Sequence, residues 1–451
     1  MGEKRIHLVG IGGISMSGIA KILLNRGYQV SGSDVKDSSL LDSLREKGAD
    51  ITIGHAAENV AGAHKVVYSS AIPEDNIELK FARGKELKIY ERAQMVAELM
   101  EGYKGIAVSG THGKTTTTSM IAFILKKAGL DPAVLLGGKM DILNGNACDG
   151  QGEYFVIEAD ESDGSLLHYN PDVAVVTNLE LDHHDYYSSK QKLNKTFKYF
   201  LQKIPREGRI IVYSADQNLG NLVSENDARV LSYGLNEGNL QAENVNLMPF
   251  GSFYTVNYKG RKLGEINLQV PGKHNILNSL AAFAVCMYVG LSFTEIKKFF
   301  DEYQGVKRRF EKKGLMNDIL VVDDYAHHPT EIRETLTTAR NTGYERLITV
   351  FQPHRYSRTK HLMEELSYSF TSVDKLIITD IYAAGEDAIS GVNAKKLVAL
   401  TKENSEVEVE YIPDFADIKS YLMEILQPRD IVLTLGAGNV YEVGEDLLSD
   451  I

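Results

Sequence analysis

The sequence predicts an α/β protein of three domains, and three observations carry that expectation. A chain of 451 residues exceeds one ordinary core. Short β-type runs alternate with helical patterns in three separate stretches. Glycines or polar residues close the strands of each stretch, where α/β sheets place their ligands.

The first stretch reads RIHLVG, SMSGIAKILLNRG, YQVSGSD, ITIG and KVVYSSAI, the pattern of a parallel sheet with crossover helices. A second opens at GYKGIAVSGTHGKTTTTSMIAFILKKAG and continues through YFVIEADES and DVAVVTNLELDHHD. Residues from about 208 to 270 differ: IIVYS, RVLSYG and the alternating SFYTVNYKGRKLGEINLQV predict small, mostly antiparallel strands elaborating the middle domain. After GVKRRFE the βα alternation restarts with ILVVDDY, RLITVFQ, KLIITDIY, VEVEYI and DIVLTLGAG. The expected domains are residues 1–103, 104–307 and 308–451.

Composition narrows the function. Charged residues make up 24% and hydrophobic ones 43%, a globular balance. A net charge of −12 argues against a nucleic-acid partner, whose phosphates require clustered Lys and Arg. Cys148 and Cys286 form no disulfide framework and no metal spacing, which suits a reducing cytoplasm. No apolar run reaches the roughly 20 residues of a membrane span, and no signal core is read, so no membrane partner is expected.

Four glycine or strand-end motifs carry chemistry. GIGGISMSG offers Gly10, Gly12 and Gly13 for a diphosphate, with Ser15 where the dinucleotide fingerprint has its third glycine. NAD is one reading of that turn. GTHGKTTTT follows a strand and opens a helix, so Gly110, Thr111, His112, Gly113 and Thr116 can cradle phosphates, Lys114 can reach the β and γ phosphates, and Thr115 can hold Mg²⁺. Val108 stands where the full P-loop spacing has glycine. ATP or GTP is the leading ligand. Glu158, ending the strand YFVI, is the expected magnesium ligand. The segment NLELDHHD offers Asn178, Asp182, His183, His184 and Asp185 and, read alone, also fits a metal-dependent phosphoesterase.

PGKHNILN places His274, Asn275 and Asn278 at a helix start, where capping explains at most one of them. KRRFE concentrates Lys307, Arg308 and Arg309 at a domain boundary. DDYAHHPTE and FQPHRYSRT leave two strands of one sheet, so Asp324, His327, His328, Arg355 and Arg358 can converge on one mouth. Two arginines there suit a carboxylate clamp. The fold class that results is a Rossmann-like N-terminal domain, a P-loop ATPase-type central domain and a Rossmann-like C-terminal domain.

Taken together and in order, GIGGISMSGIA, SGTHGKTTTT, EADESDGSL, TNLELDHHD, PGKHNILN, GVKRRFE, DDYAHHPTEI and FQPHRYSRT closely resemble the Mur ligases over the whole chain. The resemblance implies ATP-dependent ligation of L-alanine to the lactyl carboxylate of UDP-N-acetylmuramate, with ATP and Mg²⁺ bound, by a monomer or weak homodimer. The first turn would then hold a UDP-sugar rather than NAD, with Asp34, Ser69 and Ser70 as uridine contacts. It implies Lys114 and Thr115 for ATP and magnesium, and Glu158 and His183 for the bridging metal. His274, Asn275 and Asn278 resemble the nucleoside contacts, and Arg308 and Asp324 the residues reaching ATP from the third domain. His327, Arg355 and Arg358 match the amino-acid pocket, where His327 accepts an ammonium proton or orients the amino acid. Lys198 lies near the spacing of a carbamylated lysine in sister ligases. Ser15 departs from the family's usual glycine. The alternatives are a murein tripeptide recycling ligase, an NAD oxidoreductase, a metal phosphoesterase and a noncatalytic nucleotide-binding regulator.

Overall fold

The computed structural model describes residues 4–182, 186–224 and 226–449. The first sheet holds β1 (Arg5–Val9), β2 (Gln29–Asp34), β3 (Asp50–Ile53), β4 (Lys65–Tyr68) and β5 (Lys88–Glu91). Their order is β3-β2-β1-β4-β5 and every pairing is parallel. Strand order reverses between β1 and β4, so a crevice opens beyond their carboxyl ends, and the glycine-rich turn leaves β1 at that point.

The second sheet is built on β6 (Lys104–Ser109), β7 (Ala133–Met140), β8 (Gly145–Cys148), β9 (Tyr154–Glu158), β10 (Val173–Val176), β11 (Arg209–Tyr213) and β12 (Val230–Leu235). These run in the order β12-β11-β10-β6-β9-β7-β8. The phosphate-type loop after β6 therefore has the ends of β9 and β10 on its two sides. Only β8 is antiparallel to its neighbour here; β11 pairs in parallel with both β10 and β12. That corrects the antiparallel expectation for IIVYS and RVLSYG. The 16 residues between Tyr213 and Val230, which include the helix Gln217–Gly220, are long enough to carry the chain back for a parallel return. The expectation does describe β13 (Leu240–Met248), β14 (Gly251–Tyr258) and β15 (Arg261–Leu268), because two-residue links leave successive strands no room to run parallel.

The third sheet comprises β16 (Glu311–Met316), β17 (Ile319–Asp324), β18 (Arg346–Phe351), β19 (Lys375–Ile378), β20 (Glu408–Tyr411) and β21 (Asp430–Leu435). Its order is β16-β17-β21-β18-β19-β20, with β16 an antiparallel edge and the rest parallel. β17 and β21 are buried along their whole length, as strands covered on both faces require.

Three sheets make two compact units: residues 1–241 with 258–261 and 278–299, and residues 242–257 with 262–277 and 300–451. The first two sheets share one apolar core, in which Ile19, Leu135 and Ala147 are buried together. The helix Ile14–Asn25 lies against β7 and β8 so closely that a Cβ on Gly18 would strike the Leu135 side chain. Lys21 Nζ donates to Asn146 Oδ1 at 3.2 Å and Arg26 Nε to Asp149 Oδ1 at 3.0 Å across the same contact. The helix that receives the first glycine-rich turn is thus fixed on the sheet that carries the second.

Candidate active site

At the end of β1, Gly10 N and Ile11 N donate to Ser33 O at 2.8 and 3.1 Å, and Gly12 N donates to Asp34 Oδ2 at 2.8 Å. Ser69, just past β4, has its Cβ 3.5 Å from where a Cβ on Gly10 would stand. Gly10, Gly12, Asp34 and Ser69 therefore meet at one strand-end crevice, with Ser70 exposed beside it. Gly13 precedes the helix Ile14–Asn25, whose first amides are oriented to receive an anion. Ser15 Oγ accepts from Arg92 Nη1 at 3.2 Å, and the Arg92 guanidinium also reaches Ser165 and Asp163, in the loop after β9.

The loop after β6 is built by residues from three strand ends. Gly113 has φ +80, and a Cβ there would run into the Asn278 side-chain oxygen, so the loop and the helix 273–288 need glycine at this position. Asn178, just past β10, clamps the loop: its Oδ1 accepts from His112 N at 2.9 Å and its Nδ2 donates to His112 O at 3.1 Å. Asn178 O takes Thr111 N at 3.1 Å, and Thr111 Oγ1 donates to Glu180 O at 3.0 Å. Thr117 Oγ1 donates to Asn278 Oδ1 at 3.3 Å.

Lys114 opens the helix Lys114–Lys127 and donates to Gly110 O at 2.6 Å, Thr111 O at 3.2 Å and Glu161 Oε1 at 2.8 Å. Burial alone would lower its pKa, yet the carboxylates of Glu161, Asp160 and Glu158 hold it above the ordinary lysine value, so it stays an ammonium. Thr115 Oγ1 donates to Glu158, 3.0 and 2.9 Å from its two oxygens, and Gly137 N donates to Glu158 Oε2 at 3.0 Å. A hydroxyl and a carboxylate at the start of a phosphate-binding helix are hard oxygen donors of the kind Mg²⁺ takes. His183, read as a further metal ligand, lies outside the described residues. Lys198 is exposed and lines a surface hollow with Asp227 and Arg229, while its helix turns Phe197 and Phe200 to the core.

In the second unit, Asn275 Nδ2 donates to Pro271 O at 2.7 Å and His274 Nδ1 faces Glu334 Oε2 at 3.8 Å. The run KRRFE divides. Arg308 turns inward, donating from Nε to Asp323 Oδ2 at 3.1 Å, from Nη1 to Gly438 O at 2.9 Å and from Nη2 to Gly436 O at 2.6 Å. Its guanidinium stacks on Tyr441 and Tyr325. Asp324 is buried, accepts from Phe310 N at 2.6 Å and Ala326 N at 2.7 Å, and is raised in pKa by burial. Both residues shape the turn Arg308–Phe310, where both end residues have positive φ.

Past β17 and β18 the predicted amino-acid residues do converge. The His327 ring is 5.7 Å from that of His354, which stacks on Tyr382 at the same separation. Arg358 Nη1 lies 3.3 Å from His354 Nδ1. Burial and the neighbouring His327, Arg358 and Arg355 push His354 down to about 2, so it is a neutral acceptor for that guanidinium. Arg355 has φ 66 and ψ 140, a costly conformation for a residue with a side chain. It is held by its amide on Tyr382 O at 2.8 Å and by Thr359 Oγ1 on its carbonyl at 2.7 Å. His327 Nδ1 sits 3.0 Å from Tyr325 O, which only accepts, so Nδ1 carries a proton. His354 and Glu161 are neighbours of these candidates that the sequence left without a role, and Asn178, expected with the acidic and histidine residues of NLELDHHD, clamps the loop instead.

Comparison with known proteins agrees with this layout. Family models match residues 5–104 (Mur ligase family, catalytic domain), 108–286 (Mur ligase middle domain) and 308–438 (Mur ligase, glutamate ligase domain). The chain is 48% identical over 448 residues to a UDP-N-acetylmuramate–L-alanine ligase of Trichlorobacter lovleyi, covering 99% of this chain and 98% of that one. It is 49% identical over 447 residues to the ligase of the same name from Geobacter sp. strain M21, covering 99% and 97%. Among solved structures, the UDP-N-acetylmuramate-alanine ligase MurC of Thermotoga maritima superposes with a TM-score of 0.85 at 28% identity, over 99% and 98% of the two chains. A murein peptide ligase of Psychrobacter arcticus gives 0.73 at 26%, over the same shares. With all three of its sheets matched in order and near half of its residues shared along almost its full length, the chain belongs to the Mur ligase family.

Proposed function

We propose that this chain joins L-alanine to the lactyl carboxylate of UDP-N-acetylmuramate at the expense of ATP, yielding UDP-N-acetylmuramoyl-L-alanine, ADP and phosphate for peptidoglycan synthesis. The observation that carries the reading is identity near one half, from end to end, with ligases named for that reaction. Among solved structures the alanine ligase of Thermotoga maritima also superposes better than the murein peptide ligase. The domains are placed at residues 1–103, 104–307 and 308–451 and the reaction in the cytoplasm. Two free cysteines support that location, and no helix among the described residues is long and apolar enough to cross a membrane.

The crevice at Gly10, Gly12, Gly13, Ser15, Asp34, Ser69 and Ser70 takes the UDP-sugar. The loop from Gly110 to Thr116, with Asn278, takes the ATP phosphates, and His274 and Asn275 the nucleoside. Thr115 and Glu158 would hold Mg²⁺, which when bound neutralises charge on the phosphates. A lactyl carboxylate oxygen attacks the γ-phosphorus as ADP leaves, and Lys114 turns from the Gly110 and Thr111 carbonyls to the phosphoryl oxygens. Arg358 and Arg355 clamp the alanine carboxylate. His327 Nε2 takes a proton from the alanine ammonium, and the free amine attacks the acyl phosphate carbonyl and expels phosphate, which carries off the second amine proton as hydrogen phosphate.

The reading is tested by ADP release with UDP-N-acetylmuramate and ATP, comparing single amino acids with a tripeptide as acceptor. Turnover that depends on alanine is the expected result. Turnover only with the tripeptide would replace the reading by the recycling ligase, and NADH binding without ADP release by the oxidoreductase.

A further inference from the structure

The first sheet hides a carboxylate that none of these steps uses. Glu78, in the first turn of the helix Ile77–Gly84, is 0% exposed. Its Oε2 accepts from Ser33 Oγ at 2.6 Å and faces His55 Nδ1 at 3.3 Å and His7 Nε2 at 3.5 Å. Its Oε1 accepts from Asn59 Nδ2 at 2.6 Å and Ala56 N at 3.3 Å. Burial favours the protonated acid, but the neighbouring His7 and the bonds from Ser33 and Asn59 overcome it and bring the group down to about 2.

All of these groups except His7, which lies on β1, belong to the two segments beside Asp34. Ser33, buried and bonded to Glu78, carries the carbonyl that accepts both Gly10 N and Ile11 N. On the other side Asp34 O accepts from Gly54 N at 2.7 Å, and the Asn59 amide that reaches Glu78 also donates to Gly54 O at 3.1 Å. We infer that Glu78 is a positioning residue for UDP-N-acetylmuramate. One buried carboxylate ties the glycine-rich turn, through Ser33, to the segment 54–59, through His55, Ala56 and Asn59, and so sets the crevice around Asp34. The inference rests on the reading of that crevice as the UDP-sugar site.

Glu78→Gln keeps the size but replaces one acceptor with a donor facing donors. In the full chain it is expected to raise the KM for UDP-N-acetylmuramate about tenfold. The KM values for ATP and alanine are expected to stay within about twofold, because their residues bond elsewhere. Ser33→Ala removes the hydroxyl that joins the turn to Glu78 and to His55 Nδ1, 3.1 Å away, and leaves the Glu78 bonds to Asn59 and Ala56 in place. It moves the same KM in the same direction, and it decides the matter if Glu78→Gln fails to fold. A lower melting temperature with an unshifted KM, or three KM values rising together, overturns the inference. The wild type, titrated with UDP-N-acetylmuramate by calorimetry in parallel, separates the two levels. If it does not bind, the site reading and the inference both fall; if it binds while the variants keep their KM, the inference alone falls.

Discussion

Lys114→Ala is expected to reduce alanine-dependent ADP release by roughly a thousandfold or more, the scale of removing a preorganised charge from the transferring group. UDP-N-acetylmuramate affinity, read by calorimetry, is expected to hold within about twofold. The division follows from where the residues sit: Lys114 contacts Gly110, Thr111 and Glu161 at the second sheet, whereas the sugar crevice is built from the ends of β1, β2 and β4. The substitution also leaves Glu161 buried without its ammonium, which by itself costs stability. The double variant Lys114→Ala with Glu161→Gln removes that cost and should remain inactive. Recovery of turnover in the double variant, or a loss of sugar affinity matching the loss of rate, would contradict the assignment.

Arg358→Ala is expected to raise the KM for alanine about 10- to 150-fold, since a charge-assisted bond to a carboxylate is worth roughly 1.5 to 3 kcal/mol. The KM values for ATP and UDP-N-acetylmuramate should change by less than about threefold. His354 supports this expectation. Held neutral, it accepts from one arm of Arg358 and fixes the guanidinium without competing for its charge. Lys at position 358 should recover only part of the affinity, because an ammonium cannot make the forked contact. Equal effects of Arg358→Ala on all three substrates would remove the clamp.

The phosphate loop was legible because its residues are rare in combination: a glycine before the helix, then Lys and Thr, after an apolar strand. The acidic end of β9 was legible for the same reason, and Thr115 and Glu158 do meet. Direction was not legible in β11 and β12, since short β-type runs look alike whether they run parallel or antiparallel, and only the connection between them decides. Asn178 stood in view within NLELDHHD, but nothing local says that its amide folds back on His112. Arg308 is the opposite case. A basic run reads as a phosphate site, while the carbonyls of Gly436 and Gly438 that engage it lie some 130 residues away. Glu78 was invisible, because glutamates are common on exposed helix faces and its burial is a product of the tertiary fold.

The central claim is that the lactyl carboxylate is activated as an acyl phosphate at the Lys114 loop. It is tested most directly with UDP-N-acetylmuramate carrying heavy oxygen in that carboxylate. One labelled oxygen must become the bridge to the γ-phosphorus and leave with inorganic phosphate when the alanine amine displaces it. The expected result is one heavy oxygen in phosphate per turnover and none in the nucleotide. Phosphate free of label, or label in AMP, would contradict the mechanism and the roles given to Lys114, Thr115 and Glu158.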